Sequence, residues 1–336
     1  MSKNTKTQLI EIILPKGRGN DIRELLYEHP LENYWQDALD DNQTRIRILL
    51  QVGVVEPVLD ILDSYLKKLP EAKAILLPVE AVVPRPESKE PDTESEQDQD
   101  DIKISNRISR HELYDDIIAG CTLSSTYLAM VFLSAVIAAI GLVRGDMAII
   151  IGAMVLAPLL TPNVALALAN TLGDTELAAT SIKTAGAGLT LAVIIGFAIG
   201  SIFPADPAIP AIAARTQVHW SDLLLALASG SAGVLALTSA GQLSLIGVMV
   251  AVALMPPLVT AGLMFGSGYV VQGFGALQLA LANVICVNLA GIVTFLIQGI
   301  RPATWWESSR AKKAVKKSLF IWISLLMLLA LLLAFE

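Results

Sequence analysis

From Cys121 to Ile300 the chain carries only eight Asp, Glu, Lys or Arg side chains: Arg144, Asp146, Asp174, Glu176, Lys183, Asp206, Arg215 and Asp222. Between Asp222 and Arg301 there is none. An apolar run of about 20 residues spans the ~30 Å hydrocarbon core of a bilayer. A helix crosses it readily because all its backbone polar groups are bonded within the segment. The C-terminal two-thirds therefore reads as an α-helical, polytopic membrane domain. Seven apolar segments are expected, near 122–143, 147–170, 184–203, 222–240, 243–265, 276–298 and 318–335. The mean hydropathy of +0.60 averages over this domain and a much more polar N-terminal part.

Residues 1–83 read as a separate α+β domain. "QLIEIILP" alternates like a half-buried strand, and "GNDIRELLYEH" has the spacing of an amphipathic helix. "NYWQDAL", the turn "DDNQ" and "TRIRILLQV" form a hairpin pattern in which Arg45 and Arg47 alternate with Ile46 and Ile48. "EPVLDILDSYLKKL" is a second helix, with Pro57 placed in its first turn, and "KAILLPV" is a last strand. The order βαββαβ is that of a ferredoxin-like, split-βαβ domain.

Residues 84–106 follow, with eight carboxylates between Glu87 and Asp101 against one lysine. Such a composition cannot bury apolar surface and reads as a disordered acidic linker. Order resumes at 107–120, where Ser109 and Glu112 match a capping box and Leu113, Ile117 and Ile118 share a face, as in a short interfacial helix. The membrane core is expected over 121–300. Residues 301–317 read as a basic cytoplasmic loop containing Arg301, Arg310, Lys312, Lys313, Lys316 and Lys317, and 318–336 as a C-terminal transmembrane helix. By the positive-inside rule that loop is cytoplasmic, and Trp305 and Trp306 suit the interfacial belt. With seven crossings the N-terminal domain lies on the same side. The expected location is the cell (inner, cytoplasmic) membrane, multi-pass, with a cytoplasmic N-terminus.

The core contains an internal echo. At a shift of 99 residues, Pro158-Leu159-Leu160-Thr161 falls on Pro257-Leu258-Val259-Thr260, and Gly200 falls on Gly299. Upstream, Gly152-Ala153-Met154-Val155 matches Gly247-Val248-Met249-Val250 at a shift of 95. Residues 121–203 and 221–300 thus read as two three-helix repeats. Three crossings per repeat invert one copy relative to the other. Broken helices at the same place in each inverted half point to a binding site at the bilayer midplane. Pro158 and Pro162 in one half, and Pro256 and Pro257 in the other, would make those breaks. Thr161 then reads as a fresh helix cap with Pro162 in the first position.

The candidate residues for binding a solute or ion are these four prolines with Thr161, Asn163, Thr260, Asn283 and Asn288; Asn170 is a further polar residue near the breaks. Interhelical hydrogen bonding is the competing role of the polar ones. No catalytic residue, metal ligand set or cofactor site is expected. His29, His111 and His219 lie outside the spans, and no Asp or Glu lies deep in one. Cys121 and Cys286 behave as small hydrophobes. A net charge of −7 provides no footprint for nucleic acid. The expected partners are the lipid bilayer, an unknown small solute or ion, and further copies of the chain, the last from small-residue faces such as "ALASGSAGVLALTSAG".

"AAIGLVRGDMAIIIGAMVLAPLLTPNVALAL", "ALASGSAGVLAL", "GVMVAVALMPPLV" and "NVICVNLAGIVTFLIQGIRP" resemble the prokaryotic membrane proteins grouped as domain of unknown function 389, over about Leu113 to Pro302. The N-terminal extension and the "WWE" after the sixth segment resemble the archaeal and bacterial subgroup with a soluble domain. The resemblance implies a multi-spanning membrane protein and carries no activity or substrate with it. The residues themselves favour a transporter or channel regulated by its cytoplasmic domain. The alternative is a membrane-anchored sensor or scaffold whose soluble domain binds a small ligand or partner. An enzyme is not expected.

Overall fold

A computed structural model describes residues 7–27, 33–40, 42–69, 71–79, 110–238, 254–300 and 305–335. The chain divides into two compact units, Met1–Leu113 and Tyr114–Glu336. The acidic linker, Ser109 of the expected capping box and the first part of the fifth apolar segment lie outside the described residues.

In the first unit, β1 (Thr7–Pro15), α1 (Gly19–Leu25), β2 (Asn33–Ala38), β3 (Gln43–Gln51), α2 (Val52–Leu66) and β4 (Lys73–Pro78) follow in that order. The strands form one antiparallel sheet in the order β2-β3-β1-β4. Ile10 pairs with Ile48 on one side and Leu76 on the other, a register that stacks the apolar alternate of each strand. Ile10, Ile12, Leu14, Ile46, Ile48 and Leu50 are buried with Ile22, Leu26, Val55, Val58 and Leu62 of the helices. Each such side chain contributes about 1.5–3 kcal/mol of burial before entropy is counted. The alternate positions carry the Arg47–Glu11 and Arg45–Asp37 ion pairs. One expectation is corrected here: α2 starts at Val52, so Pro57 stands inside the helix rather than in its first turn. Continuing apolar spacing ahead of the proline extends the helix backward.

The second unit is helical. Its elements are α3 (Arg110–Cys121, which begins in the first unit), α4 (Ser125–Arg144), α5 (Met147–Leu156), α6 (Leu160–Leu172), α7 (Thr175–Ile202), α8 (Pro210–Ala213), α9 (Trp220–Thr238), α10 (Met255–Gly266), α11 (Val270–Ile297) and α12 (Trp305–Phe335). Ser124, Asp146 and Asp174 cap α4, α5 and α7 by accepting first-turn amides, so two of the few charges in the core serve as helix starts. Among the described residues, five helices are long and apolar enough to cross a membrane, and six if the bent pair α5–α6 counts as one.

Two boundaries differ from expectation. The third apolar segment begins at Thr175, so Glu176 and Lys183 are helical. The "basic loop" is helix from Trp305 onward, because its Ala, Lys, Arg and Glu are strong helix formers with no Gly or Pro among them. Residues 301–304 lie outside the described residues.

The helix boundaries recur at one constant shift. α4 and α9 begin at 125 and 220, α6 and α10 at 160 and 255, α7 and α11 at 175 and 270: a difference of 95 each time. Gly173 and Gly268, also 95 apart, both follow a helix with φ of 74° and 87°. The shift of 99 is therefore not the structural one, and Pro162 rather than Pro158 is the positional counterpart of Pro257. The short "PLLT" match misleads because apolar segments draw on few residue types.

Packing obeys the same shift. In α7, a Cβ on Gly196 would lie 2.6 Å from the Val259 carbonyl oxygen and 3.1 Å from Gly262 Cα of α10. In α11, a Cβ on Gly291 would lie 2.8 Å from Ala167 Cβ of α6. Gly291 is Gly196 plus 95, and Gly262 is Ala167 plus 95. Each half thus sends its long last helix across the half-length helix of the other, at one matching small-residue crossing.

Candidate functional site

The first expected break occurs at a proline, with a shifted geometry; the residues that precede the second proline pair lie outside the described residues. α5 ends at Leu156, and Ala157 is extended (φ −74°, ψ 116°), the conformation imposed on a residue that precedes proline. α6 departs at 48° to α5. It starts at Leu160 with Leu159 as its cap residue and no side-chain cap bond. Thr161 is therefore not the cap, nor Pro162 the first residue; both lie inside the first turn, where a missing N–H is harmless. α10 begins at Met255 with Pro256 and Pro257 directly after it, for the same reason.

The structure separates the candidate residues into two places. Asn163 and Asn288 meet in the core: Asn288 Nδ2 donates to Asn163 Oδ1 at 3.2 Å and to the Val284 carbonyl at 2.9 Å. Asn163 Nδ2 donates to the Leu159 carbonyl at 2.8 Å, beside the break. Asn288 Oδ1 and Thr260 Oγ1 are buried with no hydrogen-bond partner, at a cost of about 1–3 kcal/mol for each unmet group. Thr161 packs its methyl against Gly120. Pro158 is half-buried, and Pro162 and Pro256 are buried. Asn170 accepts a hydrogen bond from Ser318 of α12 at 2.8 Å.

Pro257 and Asn283 lie elsewhere, in the wall of a cavity of about 400 Å³. Arg215, Asp222, Ser229 and Asn283 are its polar lining; Met147, Leu225, Ala226, Pro257, Leu279 and Val287 are prominent in the apolar part. The volume is in the range of small-molecule sites, and an apolar wall with a few converging polar groups is their usual make-up. Arg215 stands just after α8, where its guanidinium donates to the Ala211 carbonyl. Burial pulls its pKa below the usual arginine value, while a guanidinium remains a cation at neutral pH. Asp222 accepts the His219 amide at 2.8 Å and so caps the start of α9. One cation and one carboxylate therefore face the same cavity, and neither was among the residues singled out from sequence. Their signal was their rarity, as Asp222 is the last Asp, Glu, Lys or Arg before Arg301. The α7–α10 crossing, which the sequence reading missed, has its signal in two G-x-x-x-G spacings, Gly196–Gly200 and Gly262–Gly266. Among the described residues no group of three His, Cys, Asp or Glu side chains could hold a metal ion.

A model of a domain of unknown function, DUF389, matches residues 154–289, the stretch that includes all four candidate prolines and much of the cavity wall. The chain is 37% identical over 244 residues to an uncharacterized protein of Methanocaldococcus jannaschii, MJ0678, covering 73% of this chain and 75% of the relative. No solved structure matches it. With its apolar helices and this extent of similarity, the chain belongs to the DUF389 family of unknown function.

Proposed function

We propose that the protein is a multi-pass transporter or channel for a small polar solute or ion, and not an enzyme. The cavity carries this reading: Arg215 and Asp222 offer opposite charges to one solute, with Asn283 and Ser229 as neutral partners and the start of α10 beside them. A zwitterion of a few heavy atoms fits that lining better than a bare ion, because each of its charges finds a counter-charge. The constant 95-residue shift and the reciprocal glycine crossing support two pseudo-equivalent halves. Three crossings per half invert one against the other, the architecture in which a half-helix terminus meets a solute near the bilayer midplane. The basic start of α12 supports a cytoplasmic N-terminus in the cell membrane. The strand order β2-β3-β1-β4 with the βαββαβ sequence supports a ferredoxin-like regulatory domain. Small-residue faces support assembly of several copies.

The test is flux into liposomes holding the purified full-length protein, using glycine, proline and betaine as zwitterions and Na⁺, K⁺ and phosphate as simple ions. Saturable flux that falls in Arg215→Gln and Asn283→Ala supports the proposal. Folded protein that moves none of these probes, and is stabilised by none of them, overturns it as stated. A second reading draws on a cavity of about 410 Å³ in the soluble unit, lined by Asn20, Arg23, Glu24 and Tyr27. Tight binding of a small ligand by residues 1–83, without flux through the full chain, would favour that sensor.

A further inference from the structure

The 95-residue correspondence allows the cavity to be sought in the other half. Asp222 corresponds to Tyr127, Asn283 to Gly188, Leu279 to Thr184, and Arg215 to Gly120. At that place the first half is filled rather than hollow. The Tyr127 ring is 5% exposed. Its hydroxyl lies so close to Gly188 that a Cβ there would be 2.3 Å away. The same hydroxyl donates to the Thr184 carbonyl at 3.1 Å, and Thr184 Oγ1 donates to the Cys121 carbonyl at 2.8 Å. Cys121 Sγ and Ser181 Oγ are in contact at 3.3 Å. These bonds join the α3–α4 junction to α7. In the second half the counterparts of Thr184, Cys121 and Ser181 are Leu279, Thr216 and Ala276, and the two apolar ones cannot repeat this zipper.

We propose that Tyr127 is a plug: it occupies the pseudo-equivalent second vestibule, which the Tyr127–Thr184–Cys121 hydrogen bonds hold shut while the Arg215–Asp222 cavity is open. Gly188 is required because only a residue without a side chain leaves room for the ring. In an inverted pair the two vestibules face opposite sides of the membrane, so opening one and closing the other constitutes alternating access. This inference rests on the transporter reading for its meaning, and its test does not depend on knowing the solute.

The native thiol at the zipper is the reporter. In full-length Cys286→Ala protein in detergent, Cys121 is the sole thiol, and a charged methanethiosulfonate measures its accessibility. Labelling is expected to be slow in that background. In Tyr127→Ala it should be well over tenfold faster, because the ring is lost as well as the buried hydrogen bond, which alone accounts for roughly tenfold when opening limits labelling. Tyr127→Phe, which keeps the ring, should fall between. Cys286 in the Cys121→Ser protein is the control, since it packs in the second half against Leu223, Ala226 and Leu329; it should stay protected when Tyr127→Ala is added. The reciprocal variant, Asp222→Tyr with Asn283→Gly, should protect a cysteine placed at Ser229. Unchanged labelling of Cys121 in Tyr127→Ala overturns the plug, as does equal exposure of Cys286, which would mean general loosening. A flux-negative protein whose two vestibules still respond in this way refutes the transport reading alone. Flux with an unresponsive Cys121 refutes the plug alone.

Discussion

Substituting Gly196 by alanine tests the crossing that holds the two halves together. The added Cβ would sit 2.6 Å from the Val259 carbonyl oxygen, 3.1 Å from Gly262 Cα and 3.2 Å from the Leu263 nitrogen. Ordinary contact starts at 3.4 Å, so α7 and α10 must separate by about 0.8 Å (3.4 − 2.6). All three obstacles are backbone, and no rotamer change relieves them. Overpacking of this kind costs about 1–3 kcal/mol, and the better helix propensity of alanine returns up to ~1 kcal/mol. A net loss of about 1–2 kcal/mol corresponds to a fall in Tm of ~2–8 °C for a unit of this size.

The readout is thermal unfolding of the full-length protein in detergent, followed by tryptophan fluorescence or by loss of the monodisperse peak after heating. Three companions make the outcome specific. Gly152→Ala and Gly186→Ala, where an added Cβ meets nothing within 4 Å, should leave Tm unchanged or slightly raised. Gly291→Ala should destabilise, because its Cβ meets Ala167 Cβ at 2.8 Å, and adding Ala167→Gly should restore stability since the next atom is at 3.5 Å. If Gly196→Ala is as stable as the unchanged protein, or Ala167→Gly fails to rescue Gly291→Ala, the reasoning about a matched pair of close crossings is wrong.

Further outcomes follow from the same geometry. Gly173→Ala places a side chain at φ 74° and should cost about 1–2 kcal/mol, with Gly173→Asn milder, as the same melting assay would reveal. In the N-terminal unit, the Tyr65 hydroxyl, 2.6 Å from Asp21, and then the Arg18 guanidinium hold the Asp21 carboxyl below the usual carboxylate range. A depressed folded pKa contributes stability above the unfolded value, near 3.9, and that contribution is lost as pH falls through the folded value. Asp21→Asn should therefore lower the urea midpoint of residues 1–83 at about pH 6, and the difference should shrink towards about pH 2.5. Equal differences at both pH values would contradict the assignment. Arg47→Ala, which removes one partner of an ion pair 40% exposed on the arginine side, should lower the unfolding free energy from the same titration by less than about 1 kcal/mol.

Much of this architecture was written in local pattern. Alternating Ile and Leu against Arg and Glu in 7–15 and 43–51 specify strands with one buried face, and the structure pairs them in that register. The uncharged stretch after Asp222 leaves apolar helices as the expected outcome, and proline before position 159 forces Ala157 out of helix wherever the chain goes. These are nearest-neighbour effects, legible without knowing what packs on what. The basic run at 310–317 is helix: its charge says nothing of a loop, and lysine and arginine favour helix.

The site was less legible, because proximity in space decides it. Asn163 and Asn288 are 125 residues apart and share one hydrogen bond, while Pro257 and Asn283 join Arg215 and Asp222 around a cavity that no sequence spacing encodes. Which half is hollow is also a tertiary fact. Tyr127 and Asp222 occupy equivalent positions, yet the Tyr127 ring packs onto Gly188 while Asp222 lines the cavity. The sequence by itself determined an α-helical membrane protein with a small antiparallel sheet domain, since hydropathy and proline sterics act locally. The pairing of α7 with α10 and of α11 with α6, the constant 95-residue correspondence and the position of the cavity were decided by the tertiary structure. Glycine-sized contacts between distant helices arise only when the chain is folded.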